Sequence, residues 1–296
     1  MESVSLKAYA KINLLLAVTG RAENGYHTVE TVMQAVTLAD TVSVSAEPSK
    51  EESSIALTCS EPSLPCDASN LARQAAEAFF RAVPFCRMNV KIDIEKKIPI
   101  AGGMAGGSTD AAAVLLALNR LSGEALSKDD LLSLGAELGA DVPFCILADS
   151  GEPAALGTHF GERMTPVPAI PDCTLIIASS SESVSTPWAY RQVDLLPSDR
   201  EGCSGPMLTA LREGDISAVF SSLYNRFEAA VLPERPLAAE QMRILKNRKA
   251  DAVLMSGSGP TVVGFFAGPG RASRAECAGL DLEPTGRVWL CRPKRN

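Results

Sequence analysis

The stretch from Gly102 to Asp110 constrains this chain most, because it places four glycines directly before an apolar segment, Ala111 to Leu118. Glycine has no Cβ, so its backbone can approach an anion closely, and a helix that begins there adds its positive end. The pattern predicts a phosphate-binding loop, which we call the phosphate loop (Gly102–Thr109). A flexible turn before a core helix is the weaker alternative, since Ser108, Thr109 and Asp110 also stand at the helix start.

Two common phosphate-binding patterns do not fit this loop. A Walker A loop requires G-x-x-x-x-G-K-[ST], and a dinucleotide-binding turn requires G-x-G-x-x-G. Neither pattern occurs here. An NAD-dependent oxidoreductase would also need a parallel-sheet switch point and an acidic residue about 20 residues further on. That class of enzyme is therefore disfavoured.

The length of 296 residues, with 46% hydrophobic residues, is enough for two domains with separate cores. We expect an α+β fold with two domains, over residues 1–160 and 161–296. The Gly- and Pro-rich region after Gly151 is interpreted as the connection between the two domains. The mixture of predicted strands and helices in the second half is typical of such a layered domain.

Charge and cysteine content exclude several classes of function. The net charge is -7 and both signs are mixed along the chain, which argues against nucleic acid or an anionic membrane as a partner. Eight cysteines without a C-x-x-C pair, and only two histidines, do not predict a metal site. With no apolar run long enough to span a bilayer and no signal peptide, we expect a cytoplasmic protein with reduced thiols.

Local patterns predict most of the elements in the first half. Lys11 and Asn13 interrupt an apolar strand and lie on one of its faces, because strand side chains alternate. The remaining predictions are strands at Val29–Val36, Val42–Val44 and Val90–Ile94, a helix from a Ser69 or Asn70 cap to Ala82, and a helix from a Ser127–Asp130 capping box to Gly139.

The second half predicts a strand at Thr174–Ala178 and helical stretches between Met207 and Lys246. A strand, a glycine-rich turn, a strand, a helix and a final strand follow. The turn, Ser256–Pro260, is either a plain hairpin turn or a segment that closes over a bound substrate; we call it the glycine turn.

The segment Pro99–Ala111 resembles the phosphate loop of the galactokinase, homoserine kinase, mevalonate kinase and phosphomevalonate kinase superfamily. Four further stretches resemble the family in it that acts on 4-diphosphocytidyl-2-C-methyl-D-erythritol: Ala10–Leu14, Gly25–His27, Gly139–Phe144 and Met255–Pro260. Their order and spacing agree over nearly the whole chain. The resemblance implies a two-domain kinase fold with an N-terminal ATP-binding domain, a C-terminal substrate-side domain and an active-site cleft between them. It also implies ATP-dependent phosphorylation of the 2-hydroxyl of that cytidine diphosphate sugar alcohol, in non-mevalonate isoprenoid precursor synthesis.

The loop departs from the family pattern at two alanines, Ala101 and Ala105, where the family usually has glycine. Thr109 and Asp110 also replace Ser and, often, Asn. A positive φ at either alanine would cost about 1 kcal/mol or more. The departure therefore concerns nucleotide affinity.

By resemblance, Asp141 is the catalytic base, and Lys11 lies beside it and stabilises developing negative charge. Asp141 has a structural alternative, because an Asp two residues before Pro143 is also a common helix cap. Lys11 has none as simple, since a lysine in an apolar strand needs a carboxylate partner or an open cleft.

The resemblance also implies the contacts of ATP. Asn70 and Lys96 lie near the adenine and its ribose, although the sequence alone places Lys96 in an exposed basic pair with Lys97. Mg²⁺ arrives with ATP and is held mainly by phosphate oxygens, with Ser108 or Thr109 as candidate hydroxyl contacts. The expected phosphate contacts are Gly102, Gly103, Met104, Ala105, Gly106, Gly107, Ser108 and Thr109.

For the alcohol substrate, the resemblance implies that Asn13 hydrogen-bonds near the reacting hydroxyl and that Tyr26 and His27 bind the cytosine. Stacking of an aromatic side chain on a base is worth about 1 to 3 kcal/mol. Tyr190 is either the second wall of the cytosine slot or a helix residue that packs near its neighbours. Thr186 is expected to contact the diphosphate or the sugar.

Two other functions stay open at this point. One is a superfamily kinase for another alcohol, of the mevalonate or homoserine type, which would need no aromatic slot. The other is a non-catalytic nucleotide-binding regulator, against which the presence of Lys11 and Asp141 argues. We expect a monomer or a weak homodimer.

Overall fold

The computed structural model describes residues 2–197 and 204–295. These residues form two compact units, each assembled from separate stretches of the chain. The first unit contains the described residues of Met1–Ala10, Leu38–Ile98 and Ala105–Gly151, and the second contains those of Lys11–Thr37, Pro99–Met104 and Glu152–Asn296. The predicted division between residues 160 and 161 stays a prediction.

Strands and helices both occur throughout, which confirms the α+β class. The strands are β1 Glu2–Arg21, β2 His27–Pro48, β3 Ser54–Cys59, β4 Met88–Glu95, β5 Ala154–Thr158, β6 Arg163–Pro166, β7 Thr174–Ser179, β8 Tyr224–Asn225, β9 Ala252–Met255, β10 Val262–Phe266 and β11 Arg287–Cys291. The α-helices are α1 Leu71–Ala82, α2 Gly106–Leu121, α3 Lys128–Leu138, α4 Val142–Asp149, α5 Thr186–Val193, α6 Ser204–Glu213, α7 Ile216–Ser221, α8 Glu228–Val231, α9 Pro236–Asn247 and α10 Arg271–Leu282. Short 3-10 helices follow at Leu232–Glu234 and Glu283–Thr285.

In the first unit, β4 joins the second half of β2 and the short β3. It runs antiparallel to β2, with Ile92 opposite Val44, and parallel to β3, with Ile92 opposite Leu57. Helix α2 is buried continuously from Thr109 to Asn119. A helix that is apolar on all sides belongs in a core, and α2 packs against both α1 and α4.

In the second unit, an antiparallel sheet has the strand order β11-β7-β10-β9. Helices α9 and α10 pack on it through a cluster that includes Ile176, Leu245, Phe266 and Leu282. The first half of β2 pairs with β5, which pairs with β6, and β1 pairs in parallel with the two-residue strand β8. This last pairing joins residues more than 200 positions apart.

Most predicted elements are present, and one expectation was wrong. The two strands expected between residues 29 and 44 are one continuous strand, β2. The Gly- and Pro-rich region after Gly151, which we expect to connect the domains, contains the paired strands β5 and β6. Cys203 lies outside the described residues, whereas the seven described cysteines are free thiols.

Candidate active site

The phosphate loop has an unusual backbone. Ala101, Gly103 and Ala105 have φ values of 54°, 72° and 59°, all in the left-handed region. The positive φ considered for the two alanines is therefore present in the structure, and each alanine carries the strain that glycine would avoid. Helix α2 begins at Gly106, and no side chain caps its N-terminus. Its first N–H groups and its positive end are left for a ligand.

A buried ion cluster supports the start of α2. The ammonium of Lys96 contacts Oδ2 of Asp40, lies 2.7 Å from Oδ2 of Asp110 and donates to the carbonyl oxygen of Gly106 at 3.4 Å. The side chains of Lys96, Asp40 and Asp110 are 7%, 0% and 6% exposed. Asp40 also accepts backbone N–H groups of the segment that leads into the loop, including that of Ile98 at 2.9 Å. The cluster thus ties β2, the segment after β4 and α2 together.

One ammonium cannot neutralise two buried carboxylates equally. Burial raises the pKa of Asp110 to about 7, against the attraction of Lys96 and with the added repulsion of Asp40. For Lys96, burial opposes the charged form, but the two carboxylates outweigh it and the pKa of Lys96 is raised. Oδ1 of Asp110 has no hydrogen-bond partner among the described residues.

The expectation that Lys96 belongs to an exposed basic pair was wrong. Only Lys97 is exposed, and it pairs with Glu95. The sequence signal was misleading because the partners of Lys96 are 56 and 14 residues away. The role of Lys96 near the adenine stays a prediction, and in the structure its three N–H donors each have an acceptor within 3.4 Å.

Asn70 serves as the N-cap of α1. Its Oδ1 accepts the N–H of Ala72 at 2.9 Å, and its Nδ2 donates to the carbonyl oxygen of Pro65 at 2.8 Å. Between the two candidates for this cap, the structure selects Asn70. A contact with ATP stays a prediction for this residue too.

Asp141 stands at the N-cap position of α4, but its side chain makes no cap hydrogen bond. The alternative in which its carboxylate simply caps the helix is therefore not what the structure shows. The backbone carbonyl oxygen of Asp141 accepts the N–H of Cys145 at 3.2 Å. The sequence placed the helix start correctly, and the carboxylate is not used to close it.

Lys11, Asn13 and Thr31 form a buried hydrogen-bonded chain in the second unit. Lys11 Nζ donates to Asn13 Oδ1 at 2.7 Å, Asn13 Nδ2 donates to Thr31 Oγ1 at 2.8 Å, and the Thr31 hydroxyl donates to the carbonyl oxygen of Leu15 at 2.8 Å. The shared face predicted for Lys11 and Asn13 is confirmed. These linked hydrogen bonds fix the orientation of the Lys11 ammonium and of the Asn13 amide. Thr31 was missed, because nothing local distinguishes it from other strand threonines.

The glycine turn packs directly on the phosphate loop. Ser256 Oγ donates to the carbonyl oxygen of Gly103 at 3.2 Å. A Cβ on Gly103 would clash with the carbonyl oxygen of Ser256, and a Cβ on Gly257 would lie 2.7 Å from the carbonyl oxygen of Gly103. The next loop residue, Met104, accepts the N–H of Lys11 through its carbonyl oxygen at 3.2 Å. The turn is therefore more than a hairpin connection.

The aromatic residues of the predicted cytosine slot lie close together. The rings of His27 and Tyr190 are stacked, with centroids 4.6 Å apart and an interplanar angle of 16°. At this separation the rings already touch, so no base can enter between them. Tyr26 is 70% exposed, with its ring 5.8 Å from that of Phe160, and it keeps surface available for stacking. Tyr190 also packs edge-on against Phe227, which is part of the core.

Asp194 orients His27 and was not foreseen. Its Oδ1 lies 2.7 Å from His27 Nε2, and its other oxygen lies 3.7 Å from the guanidinium of Arg21. Because a carboxylate can only accept, Nε2 carries the proton and Nδ1 of a neutral His27 is an acceptor. Thr186, at the start of α5, forms a 3.0 Å hydroxyl pair with Ser258 of the glycine turn.

The described residues hold no group of three or more His, Cys, Asp or Glu side chains arranged for a metal ion. Among the same residues, no helix is long and apolar enough to cross a membrane. Ser108 is half-buried, whereas Thr109 is fully buried. The hydroxyl of Ser108 is accordingly the more accessible of the two.

Comparison with known protein families defines the class. Residues 70–149 match the GHMP kinases N terminal domain, and residues 207–279 match the GHMP kinases C terminal domain. The chain is a kinase of this superfamily, which uses ATP to phosphorylate a small molecule.

Closer relatives define the family. The chain is 38% identical over 275 residues to the 4-diphosphocytidyl-2-C-methyl-D-erythritol kinase of Alkaliphilus metalliredigens, covering 93% of this chain and 92% of the relative. It is 40% identical to that of Caldicellulosiruptor saccharolyticus, covering 88% of each. A crystal structure of 4-(cytidine 5'-diphospho)-2C-methyl-D-erythritol kinase superposes with a TM-score of 0.79 at 31% identity, covering 98% of this chain and all of that one. The chain belongs to the 4-diphosphocytidyl-2-C-methyl-D-erythritol kinase family.

Proposed function

We propose that this protein transfers the γ-phosphoryl group of ATP to the tertiary 2-hydroxyl of 4-diphosphocytidyl-2-C-methyl-D-erythritol, giving the 2-phosphate and ADP. This is a step of non-mevalonate isoprenoid precursor synthesis. The observation that carries the proposal is the uncapped start of α2, which follows a phosphate loop with positive φ values. Relatives named for this activity are 38% and 40% identical to the chain over most of its length.

The phosphate loop holds the phosphates of ATP. Phosphoryl transfer depends mainly on positioning and on stabilising charge, and the open N–H groups of α2 with its positive end do both. Mg²⁺ bound together with ATP would neutralise charge on the phosphates. The half-buried hydroxyl of Ser108 is the oxygen in this loop that fits as its contact.

Asp141 accepts the proton of the substrate hydroxyl. The hydroxyl oxygen attacks the γ-phosphorus, the bond from that phosphorus to the bridging oxygen breaks, and the bridging oxygen leaves with ADP. Lys11 supplies positive charge for the reacting oxygen, and Asn13 holds Lys11 in place through their 2.7 Å hydrogen bond. A regulator that only binds nucleotide would need neither residue.

The aromatic patch recognises the cytosine. Tyr26 offers an exposed ring for stacking, and His27, held by Asp194, presents a ring nitrogen that accepts. Cytosine carries an exocyclic amino donor, so an acceptor in this position favours it over uracil. Tyr190 supports His27 from the opposite side, and Thr186 contacts the diphosphate or the sugar. This patch favours the cytidylated alcohol over mevalonate or homoserine.

We also propose a cytoplasmic protein that is a monomer or a weak homodimer, with a small molecule and no nucleic acid or membrane as partner. The free state of the seven described cysteines supports a reducing compartment. Light scattering over a range of concentrations tests the oligomeric state, and a tight dimer at low concentration would contradict it.

The experiment for the main proposal couples ADP release to a panel of alcohols, with Mg²⁺ and ATP. We expect ADP release with 4-diphosphocytidyl-2-C-methyl-D-erythritol and not with mevalonate or homoserine. Turnover of either of those alcohols instead would keep the superfamily and overturn the substrate. ATP binding without turnover on any alcohol would favour a regulator.

A further inference from the structure

The glycine turn is held by one buried side chain that the reaction itself does not use. Asn225, at the end of β8, is 5% exposed. Its Nδ2 donates to the carbonyl oxygen of Met255 at 2.6 Å and to that of Gly257 at 2.8 Å. These two carbonyls flank Ser256, the residue whose hydroxyl and carbonyl meet Gly103 of the phosphate loop. The two N–H donors of Asn225 therefore bind on either side of Ser256, the residue that contacts the phosphate loop.

Two further bonds fix the same segment. Oδ1 of Asn225 accepts the N–H of Phe227 at 2.9 Å, so the amide cannot rotate without losing three bonds. Three residues after Asn225, Glu228 Oε1 accepts the N–H of Met255 at 2.7 Å. Burial raises the pKa of Glu228, although the bond from Met255 opposes that rise. Asn225 and Glu228 together hold the first part of the turn, from Met255 to Gly257, which its glycines alone would leave mobile.

Strand β1 closes this set of contacts into a ring. Leu16 of β1 is opposite Asn225 in the parallel pairing, and its carbonyl oxygen accepts the N–H of Arg226 at 2.9 Å. Five residues earlier on the same strand, the N–H of Lys11 binds the carbonyl oxygen of Met104. The path runs from β1 through Asn225 and the glycine turn to Gly103 and Met104, and back to β1.

We propose that Asn225, assisted by Glu228, is a positioning residue for phosphoryl transfer. It holds the glycine turn against Gly103 and thereby fixes the backbone of the phosphate loop. The inference rests on the proposed function for its kinetic consequence, because misplacing bound ATP by about 1 Å can cost about 100-fold in rate. Its structural consequence, a loosened phosphate loop, does not depend on which alcohol is the substrate.

The chain offers a matched control in Asn119. This asparagine is 2% exposed, donates through Nδ2 to Glu124 and to the carbonyl oxygen of Leu126 at 3.0 Å each, and accepts the N–H of Leu126 at 2.8 Å. It thus holds a turn with the same number of bonds as Asn225. That turn follows the C-terminal end of α2, 16 residues long, at the opposite end from the phosphate loop.

The test compares Asn225→Asp with Asn119→Asp, in which an isosteric carboxylate replaces two donors. Hydrogen exchange of the full-length protein is read with and without ADP, and kinetics are measured where both variants are folded. For Asn225→Asp we expect faster exchange in the glycine turn and in residues 99–105, weaker protection by ADP and about 100-fold lower kcat. For Asn119→Asp we expect faster exchange near residues 119–127 and kcat within about threefold of wild type.

Faster exchange of the glycine turn in Asn225→Asp with an unchanged phosphate loop would overturn the proposal. Equal loss of kcat in both variants would overturn it as well, because it would mark a general stability effect. If Asn225→Asp does not fold, Asn225→Ala and Asn119→Ala replace the two variants, because they remove the same hydrogen bonds without adding a charge. The exchange experiment uses only ADP, so it tests the positioning role even if the wild-type protein proves inactive on the proposed substrate.

Discussion

The helices of the first unit begin in two different ways. Helices α1 and α3 are closed by their own side chains, with Asn70 as a cap and Ser127 and Asp130 as a capping box. Helices α2 and α4 begin after Ala105 and Asp141 without a side-chain cap bond, and neither has an acidic residue in its first turn. At the two closed ends, the capping side chains stabilise the helix. The two open ends are those that the family resemblance assigns to the phosphates of ATP and to the proton acceptor.

The largest effect is expected at the open end of α4. Asp141→Asn removes the proposed base, so kcat should fall by about 10²- to 10⁴-fold. Because the Asp141 side chain makes no cap hydrogen bond, the helix start should stay intact and the variant should fold normally. Steady-state ADP release and a thermal melt measure the two properties. Asp130→Asn is the control at a closed end, where the melt should change and kcat should not. Turnover close to wild type in Asp141→Asn would remove this residue as the base.

The open end of α2 can be closed by mutation. Ala105→Asp places a carboxylate at the N-cap, in a conformation that Asp tolerates. The carboxylate should compete with phosphate for the N–H groups, so we expect KM for ATP to rise at least about 10-fold, or about 1.4 kcal/mol. Ala105→Asn adds the same volume without charge and should raise KM less. An unchanged KM in Ala105→Asp would show that this helix end does not bind the phosphates.

The buried cluster behind α2 should make stability depend on pH. The pKa of Asp110 is about 7 in the folded protein and about 3.9 in an unfolded chain. Between these values the folded state binds the additional proton, so its free energy of unfolding falls as pH rises from about 4 to about 7. The slope from this one group is at most about 1.4 kcal/mol per pH unit.

Asp110→Asn should remove that slope. We expect the variant to gain stability relative to the wild type when denaturation of the nucleotide-free protein is moved from pH 5 to pH 8. Asp129→Asn, an exposed acid in the first turn of α3, serves as the control. The same pH dependence in the wild type and in Asp110→Asn would contradict the raised pKa of Asp110.

The smallest effect is expected at the closed end of α3. Ser127→Ala removes the capping box and should lower the free energy of unfolding by about 1 kcal/mol. Urea denaturation measures this change, and KM for ATP should stay at the wild-type value. A change in KM larger than the change in stability would mean that the closed ends also take part in binding.

Local signals in the sequence predicted the closed ends well. The cap at Asn70, the end of α1 at Ala82 and the capping box at Ser127 depend on residues within a few positions of one another. The phosphate loop was also predicted from local signals, because glycines before a helix start bring N–H groups to an anion. The positive φ at Ala101 and Ala105 was considered only as a condition that would have a cost, and the structure shows it.

Contacts between distant residues could not be predicted. Asp40 was not singled out from the sequence, although it is buried inside β2 and pairs with Lys96 from 56 residues away. Asn225 lay within a region predicted to be helical, since β8 has only two residues and needs β1 to exist. Helix α2 begins at Gly106, five residues before the predicted start, despite the low helix propensity of glycine.

The most direct measurement of the proposed activity is phosphorus NMR of the product formed from ATP and 4-diphosphocytidyl-2-C-methyl-D-erythritol, with the wild type and Asp141→Asn in parallel. We predict a new phosphomonoester on the tertiary 2-hydroxyl with the wild type, formed in step with ADP, and almost none with the variant. Release of inorganic phosphate without a new ester, or equal product from both proteins, would contradict the account.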